Sequence, residues 1–219
     1  MARPEFSPEQ ARVIAALVEK SLTTPQYYPM TVNAITAACN QKSCRRPVMQ
    51  LSEGAVGAAL NALEADGYCR RVENSGRTVK WRHQFKHQML LENAPVALLV
   101  TLMLRGPQTA SELRANAAGL KGPADGEELA ACLERLSDGP DPLVVLLPRA
   151  AGQKEARYAH CLSGEPEFDA TPAPARASEP IRPPDGEDEL RQRIAALEAR
   201  VAALETAAAT TIEQTGDTP

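Results

Sequence analysis

Apolar residues in the first part of the chain recur at the three-to-four-residue spacing of an amphipathic helix in three separate segments. The first helix is predicted over residues 8–21 and opens on Ser7–Gln10, a capping-box pattern in which Ser7 is the N-cap. The second helix starts after Thr31. The third covers residues 53–66 and ends at Gly67. The chain therefore begins with three predicted helices.

The period of the pattern then changes from helical to alternating. Residues 68–72 and 78–85 are predicted as two short strands joined by a turn. The same order of helices and strands repeats further along, with predicted helices over 93–104, from 110 and over 126–137, and strands over 143–148 and 156–162. We therefore expect a mainly α fold with small β-hairpins, built as two winged-helix domains in tandem over residues 1–88 and 89–164.

The C-terminal part of the chain differs in composition from both predicted domains. Residues 165–188 are rich in Pro, Ala and acidic residues, which predicts a disordered linker. Over residues 189–208 apolar residues alternate in steps of four and three, which predicts a short parallel coiled coil. About two heptads are too few to associate strongly alone, so we expect the coil to assist a homodimer that begins elsewhere or to pair with a helix of another protein. The heptad residues are Leu190, Ile194, Leu197, Val201 and Leu204.

Composition narrows the class of protein further. Aromatic residues make up only 4% of the chain, so the cores must be aliphatic. The longest apolar run, residues 94–104, is well short of the roughly 20 residues that span a bilayer, and the N-terminus has no signal-peptide pattern. We therefore expect a cytoplasmic protein with no membrane partner. The five cysteines are odd in number and widely spaced, which does not indicate a disulfide framework.

Charge is distributed unevenly along the chain. Residues 1–88 carry 12 Lys and Arg against 7 Asp and Glu, which gives a net charge of +5, whereas residues 89–164 carry 7 against 9 and the remainder 5 against 12. An anionic partner is therefore expected to meet the first domain, and the acidic tail is expected to be repelled by nucleic acid.

Basic residues in the first domain are the candidates for binding DNA. They fall in the loop before the third helix and on the hairpin, where they could follow a phosphate backbone. The third helix is poorly suited to reading bases, because only Asn61 among its outward residues is a typical base reader. A solubilising surface would show the same cations. The candidates are Lys42, Arg45, Arg46, Asn61, Arg70, Arg71, Arg77, Lys80 and Arg82.

The sequence also bears on three other kinds of function: a protein-interaction scaffold, a zinc site and an enzyme. A protein-interaction scaffold without nucleic-acid binding is the main alternative, since glycines at 54 and 57 would allow another helix to approach the third helix closely. A zinc site would need Cys39 and Cys44 with Cys69, His83 or His87, but the spacing fits no standard module. No phosphate loop, nucleophile elbow or metalloprotease motif occurs, so we expect neither an enzyme, nor a cofactor, nor a metal, and we identify no small-molecule substrate.

Several segments closely resemble the bacterial YceH family. They are Thr24–Pro29, Asn33–Ala34, Ala38–Ser43 and Pro47–Met49 in the first half, and Arg105–Thr109, Glu112–Arg114, Gly152–Glu155, Arg157–Tyr158 and Ser163–Gly164 in the second. The resemblance covers about residues 7–164 and implies tandem winged helices. It supplies no established active or binding residues, and Cys44 stands where the family usually has Asn.

One polar loop of this family pattern is not explained by the fold alone. It covers residues 23–40 and, with the adjacent Gln41, offers side chains that could line a small pocket or an interdomain joint. Asn40 could equally be the C-terminal stop of the second helix. The residues concerned are Tyr27, Tyr28, Asn33, Asn40 and Gln41.

Overall fold

A computed structural model describes residues 3–72, 78–149, 152–164 and 166, all within one compact unit, Met1–Pro172. The predicted linker and coiled coil, with the heptad residues from Leu190 to Leu204, lie outside the described residues, and so does Arg77. None of the helices that the structure describes has the length and apolar character needed to cross a membrane.

The first half contains three helices and a hairpin in the predicted order. They are α1 (Pro8–Thr23), α2 (Val32–Cys39), α3 (Glu53–Ala65), β1 (Cys69–Val72) and β2 (Lys80–His83). All three helices begin at a side-chain N-cap: Ser7 forms the predicted capping box with Gln10, and the hydroxyls of Thr31 and Ser52 accept backbone hydrogen bonds from the first turns of α2 and α3. Local sequence signals therefore determined where these helices begin.

The end of the first hairpin corrects one boundary. Residues 84 and 85 were predicted to extend the second strand, but β2 ends at His83 and a short helix, α4 (Phe85–Gln88), follows. Phe85 is fully buried, and its ring lies near those of Phe6 and Tyr68, with centroids at 6.5 and 6.2 Å. The chain turns here because the aromatic side chain is buried in the core.

The second half repeats the order of the first. It contains α5 (Asn93–Arg105), α6 (Ala110–Ala117), a 3-10 turn (Ala118–Leu120), α7 (Gly126–Ser137), β3 (Val144–Leu147) and β4 (Arg157–His160). Thr109 and Glu112 form a capping box at the start of α6. The described chain is thus a mixed fold of helices and small antiparallel hairpins, as predicted.

Each hairpin is extended by one further backbone pairing. Met30, between α1 and α2, pairs antiparallel with Trp81 of β2, and Gln108, between α5 and α6, pairs in the same way with Tyr158 of β4. The second strand of each hairpin is therefore central, with the first strand on one side and a single bridging residue on the other.

The two halves share one hydrophobic core around α1 and α5, which contact each other. Residues 11–18 of α1 and 95–104 of α5 are all buried, as expected for helices enclosed on every side. The N-terminal segment also joins the halves. Phe6 packs edge-on against Tyr68 with ring centroids 4.9 Å apart, while its amide donates to the carbonyl of Leu162 at 2.7 Å.

Candidate nucleic-acid interface

The register of β1 and β2 decides which hairpin residues share a face. Cys69, Arg70, Arg71 and Val72 lie opposite His83, Arg82, Trp81 and Lys80 respectively. Because side chains alternate across a strand, Arg70, Arg82 and Lys80 lie on one face, and Arg71 lies with the buried Trp81 on the other. From the sequence, Arg70, Arg71, Lys80 and Arg82 are equal candidates for contacting phosphate. The hairpin divides these four residues between its two faces.

The outer set, Arg70, Lys80 and Arg82, places three cations on one face of the hairpin, and the Arg82 side chain also interacts with the Tyr28 hydroxyl. Arg70 is exposed, and Lys80 and Arg82 are half-buried. Among the described residues, none of the three forms an ion pair, whereas Arg71 does. Arg70 and Arg82 stand directly opposite each other, an arrangement that is unfavourable for like charges and that an anion would relieve.

Arg71 differs from the outer set, because its side chain contacts α3 and holds the hairpin against that helix. Its guanidinium lies 5.0 Å from the centroid of Trp81, and its Nε is 3.0 Å from a carboxylate oxygen of Glu64. Its Nη2 donates to Asn61 Oδ1 at 2.7 Å. Asn61, the one candidate base reader, is therefore held by Arg71, although both residues are solvent-exposed. Glu64 also accepts the backbone amide of Arg71 at 3.0 Å, which caps the free edge of β1.

Arg45 is not a surface cation, contrary to the expectation that it contacts phosphate. Its side chain is 0% exposed and forms a two-point ion pair with Glu19 of α1, at 3.0 Å for Nη1–Oε1 and 2.6 Å for Nη2–Oε2. Burial opposes the charge of Glu19, but the hydrogen bonds from Arg45 hold the pKa of Glu19 below its usual value. Arg45 anchors the loop after α2 and is removed from the candidate interface.

A second buried arginine, Arg12, was missed by sequence reasoning. Its Nη1 and Nη2 donate to the carbonyls of Cys39 and Pro47 at 3.3 and 2.7 Å, while Arg45 Nε donates to the carbonyl of Ala38 at 3.1 Å. Two guanidiniums thus satisfy carbonyls at the end of α2, where the helix dipole is negative. The signal that could have revealed Arg12 is its place beside the unbroken apolar run of α1, which predicts burial on every side.

Of the two remaining loop cations, Arg46 lies close to the second half of the fold. Lys42 and Arg46 are both exposed. The amide of Arg46 donates to the carbonyl of Leu104 at 2.7 Å, and its side chain lies beside Gly106, so this position is set by α5 and not by the hairpin. Arg46 is therefore supported by elements other than the outer face of β1 and β2.

The polar loop is largely structural. The Asn40 amide group donates to the carbonyl of Leu51 and accepts from its amide, both at 2.8 Å, and so closes the loop between α2 and α3. Gln41 accepts from Arg45 at 2.9 Å, and Asn33 donates to Glu53 at 2.8 Å. The Tyr28 hydroxyl accepts the His83 amide at 2.6 Å, and burial raises the pKa of Tyr28 to about 12. Tyr27 is 73% exposed and Asn33 is also exposed, so these two side chains are accessible to a partner.

An open groove of about 440 Å³ lies beside α4. It is lined by His83, Gln84, Lys86, His87, Leu90 and Leu91. His83 Nε2 lies 3.0 Å from Ser21 Oγ, and burial lowers the pKa of His83 to about 4, so this imidazole is neutral at pH 7. Its Nδ1 is buried without a hydrogen-bond partner among the described residues.

The described residues do not assemble the zinc site considered from the sequence. No group of three or more His, Cys, Asp or Glu side chains in this part of the chain is arranged to hold a metal ion. Cys39 and Cys69 are buried, and burial raises the pKa of each thiol to about 12, which disfavours the thiolate that binds zinc. Cys44 is exposed and accepts a hydrogen bond from Arg105 at 3.1 Å.

The outer face of α3 carries two glycines, Gly54 and Gly57, and therefore has no side chain at these two positions. A Cβ added at Gly57 would meet nothing within 4 Å, and one added at Gly54 would meet only Ser52 Oγ at 3.8 Å. The packing of the described chain therefore does not require glycine at either position. The face also carries Glu53 and Asp66, which would repel a phosphate backbone.

Comparisons with known proteins place these elements among bacterial relatives. A family model described as "Protein of unknown function, DUF480" matches residues 6–153, which include α1 to α7 and both β1–β2 and β3. A UPF0502 protein of Geobacter metallireducens is 43% identical over 196 residues, covering 90% of this chain and 85% of the relative. A UPF0502 protein of an Acidovorax species is 43% identical over 218 residues, covering 98% and 95%. Another, from Koribacter versatilis, is 44% identical over 170 residues and 78% of each chain.

Proposed function

Because this chain belongs to the DUF480 family, also named UPF0502, of uncharacterised bacterial proteins, and its relatives' names supply no activity, we propose a function from the site itself. Each half is a winged helix, and the first half binds the phosphate backbone of DNA through the outer face of β1 and β2. The protein acts in the cytoplasm as a regulatory or assembly factor and not as an enzyme. We infer that the YceH family, which the sequence resembles, is this same family.

Support for the winged-helix assignment comes from the order of elements. Each half has a helix, a bridging residue, two further helices and a hairpin, and the bridging residue pairs with the second strand of that hairpin. In this arrangement the hairpin is the wing, and the third helix is the one that would face a groove.

The observation that carries the proposal is the outer face of the hairpin, with Arg70, Lys80 and Arg82 on one side of two short strands. Three cations without described acidic partners, two of them directly opposed, favour an anion that spans several charges, as a phosphate backbone does. The acidic and glycine-bearing face of α3 argues against base reading, so we expect modest sequence preference and strong dependence on salt.

The test compares two variants with the same change in charge. The first replaces Arg70, Lys80 and Arg82 with Ala. The second replaces three exposed cations of the second half, Arg114, Arg149 and Lys154, with Ala. Binding to a labelled duplex is followed by fluorescence anisotropy between 50 and 200 mM salt. Losing three phosphate contacts is expected to reduce the slope of log K against log salt by about 2.7.

The control variant is expected to keep the slope of the natural protein, since its cations lie outside the hairpin. Equal losses in both variants would attribute binding to net charge and not to the hairpin. Absence of duplex binding at 50 mM salt would reject the proposal and favour the alternative, a protein-interaction scaffold. The observation behind that alternative is the open glycine face of α3 at Gly54 and Gly57.

A further inference from the structure

The two hairpins differ at their free edges, and the difference bears on self-association. In each hairpin the first strand is an edge strand, because the second strand lies between it and the bridging residue. Arg71 of β1 lies opposite Trp81, and Leu146 of β3 lies opposite Tyr158, so Arg71 and Leu146 occupy equivalent positions.

Backbone geometry shows which groups of β3 point outward. The amide and carbonyl of Tyr158 both pair with Gln108, on the side of β4 away from β3. Leu146, directly opposite, is therefore a non-hydrogen-bonded position of the ladder, and its N–H and C=O face away from β4. The same holds two residues earlier for Val144. No described residue outside the hairpin forms a backbone hydrogen bond with either of them.

Among the described residues, the outward amide of the first hairpin's edge strand has a carboxylate partner, and the equivalent amide of the second hairpin has none. The outward amide of Arg71 is capped by Glu64, and the position carries a charge. The equivalent Leu146 is 54% exposed, and the run from Leu143 to Leu147 contains no charged residue. Edge strands of proteins that remain monomeric normally carry charges, bulges or a cover. Among the described residues, the features that blunt this edge are the shortness of the strand, the flanking Pro142 and Pro148, and the Arg3 guanidinium, which donates to the carbonyl of Pro142 at 3.0 Å.

We propose that β3 pairs antiparallel with β3 of a second copy of this chain, which joins the two β3–β4 hairpins across a two-fold axis. The flanking prolines select the register. Only the arrangement centred on Val145 pairs every outward N–H and C=O of Val144 and Leu146, because a shift by two residues would place Pro142 or Pro148, which has no N–H, opposite one of them. Four backbone hydrogen bonds result, with Val145 opposite Val145 of the partner copy.

The choice of a second copy as the occupant rests on the sequence beyond β4. Residues 189–208 carry a heptad pattern that favours two parallel copies, but two heptads are too short to associate strongly alone. A four-residue strand is likewise a weak contact. Two weak self-contacts on one chain reinforce each other, because forming the first makes the second intramolecular. An unrelated extended peptide would gain no such second contact.

The main experiment is site-specific cross-linking of the full chain in a Cys44→Ser background, which removes the exposed thiol. Val145→Cys would place two sulfurs at a non-hydrogen-bonded pair, where Cα atoms are about 4.5 Å apart, within the range of a disulfide. Leu147→Cys is the matched control, since its two copies would lie four residues apart along the strands. Under mild oxidation, we expect a covalent dimer from Val145→Cys at least tenfold faster than from Leu147→Cys.

Sedimentation equilibrium of the full chain provides a second readout. The protein is expected to be a dimer, and Leu146→Lys is expected to raise the dimer dissociation constant at least tenfold, whereas Lys at Leu90, also an exposed leucine, leaves it unchanged. A full chain that stays monomeric would overturn the proposal. So would equal cross-linking of the two cysteine variants or a dimer unaffected by Leu146→Lys, either of which would assign dimerisation to the coil alone.

Discussion

Replacing Glu19 with Gln should destabilise the protein strongly, because Glu19 is the only carboxylate with a described ion pair to the buried Arg45. The side chains of Arg45 and Glu19 are 0% and 14% exposed, and two donor–acceptor contacts join them. Gln keeps the shape of the side chain but removes the charge. Arg45 and Arg12 would then both lie buried with only carbonyl and amide partners, and the two cations already repel each other.

The expected cost follows from that burial. Removing one partner of a buried ion pair costs about 3 to 5 kcal/mol, and the partial exposure of Glu19 places it near the lower limit. For a folded unit of this size, about 3 kcal/mol corresponds to a fall in Tm of roughly 6 to 12 °C. The matched control is Glu64→Gln, whose partner Arg71 is half-exposed, with an expected cost below about 1 kcal/mol.

The assay is urea unfolding of both variants at pH 7, followed by circular dichroism. The effect should depend on pH in a defined direction. The pKa of Glu19 is lowered by folding, so its contribution is complete above the pKa of the unfolded carboxyl and is lost as pH falls through the folded value. The natural protein and Glu19→Gln should therefore converge in acid. A cost below about 1 kcal/mol at pH 7, or no difference from Glu64→Gln, would refute the assignment of a buried charge cluster.

Three further predictions concern the loop, the exposed helix face and the buried histidines. Asn40→Ala should cost about 1 to 3 kcal/mol in urea unfolding because two hydrogen bonds to Leu51 are lost, and a change within error would contradict its role in closing the loop. Gly57→Ala should stabilise the protein by up to about 1 kcal/mol, since a Cβ there meets nothing; a lower urea midpoint would show hidden crowding. His83 and His160 have pKa values lowered to about 4 by burial, so their contribution to stability is complete above pH 6.5 and is lost as pH falls towards 4. NMR titration that places either pKa near 6.5 would disprove the burial argument.

Sequence alone predicted most of the described local structure. The caps at Ser7, Thr31, Ser52 and Thr109 gave correct helix starts because N-capping depends on residues within one turn. The mainly helical class with small hairpins followed from periodicity. The end of β2 at His83 was missed, since it depends on Phe85 entering a core formed by residues distant along the chain.

The candidate site was harder to predict, because charge in a sequence carries no information about burial or orientation. Arg45 and Arg46 are adjacent, yet one is enclosed beside Glu19 and the other is exposed. Arg70 and Arg71 are also adjacent, yet the strand directs one outward and the other onto Trp81. The sequence by itself determined the elements, since their signals are local. Only the tertiary structure decided which cations face solvent and which edge strand has a carboxylate partner among the described residues, since those depend on partners far along the chain.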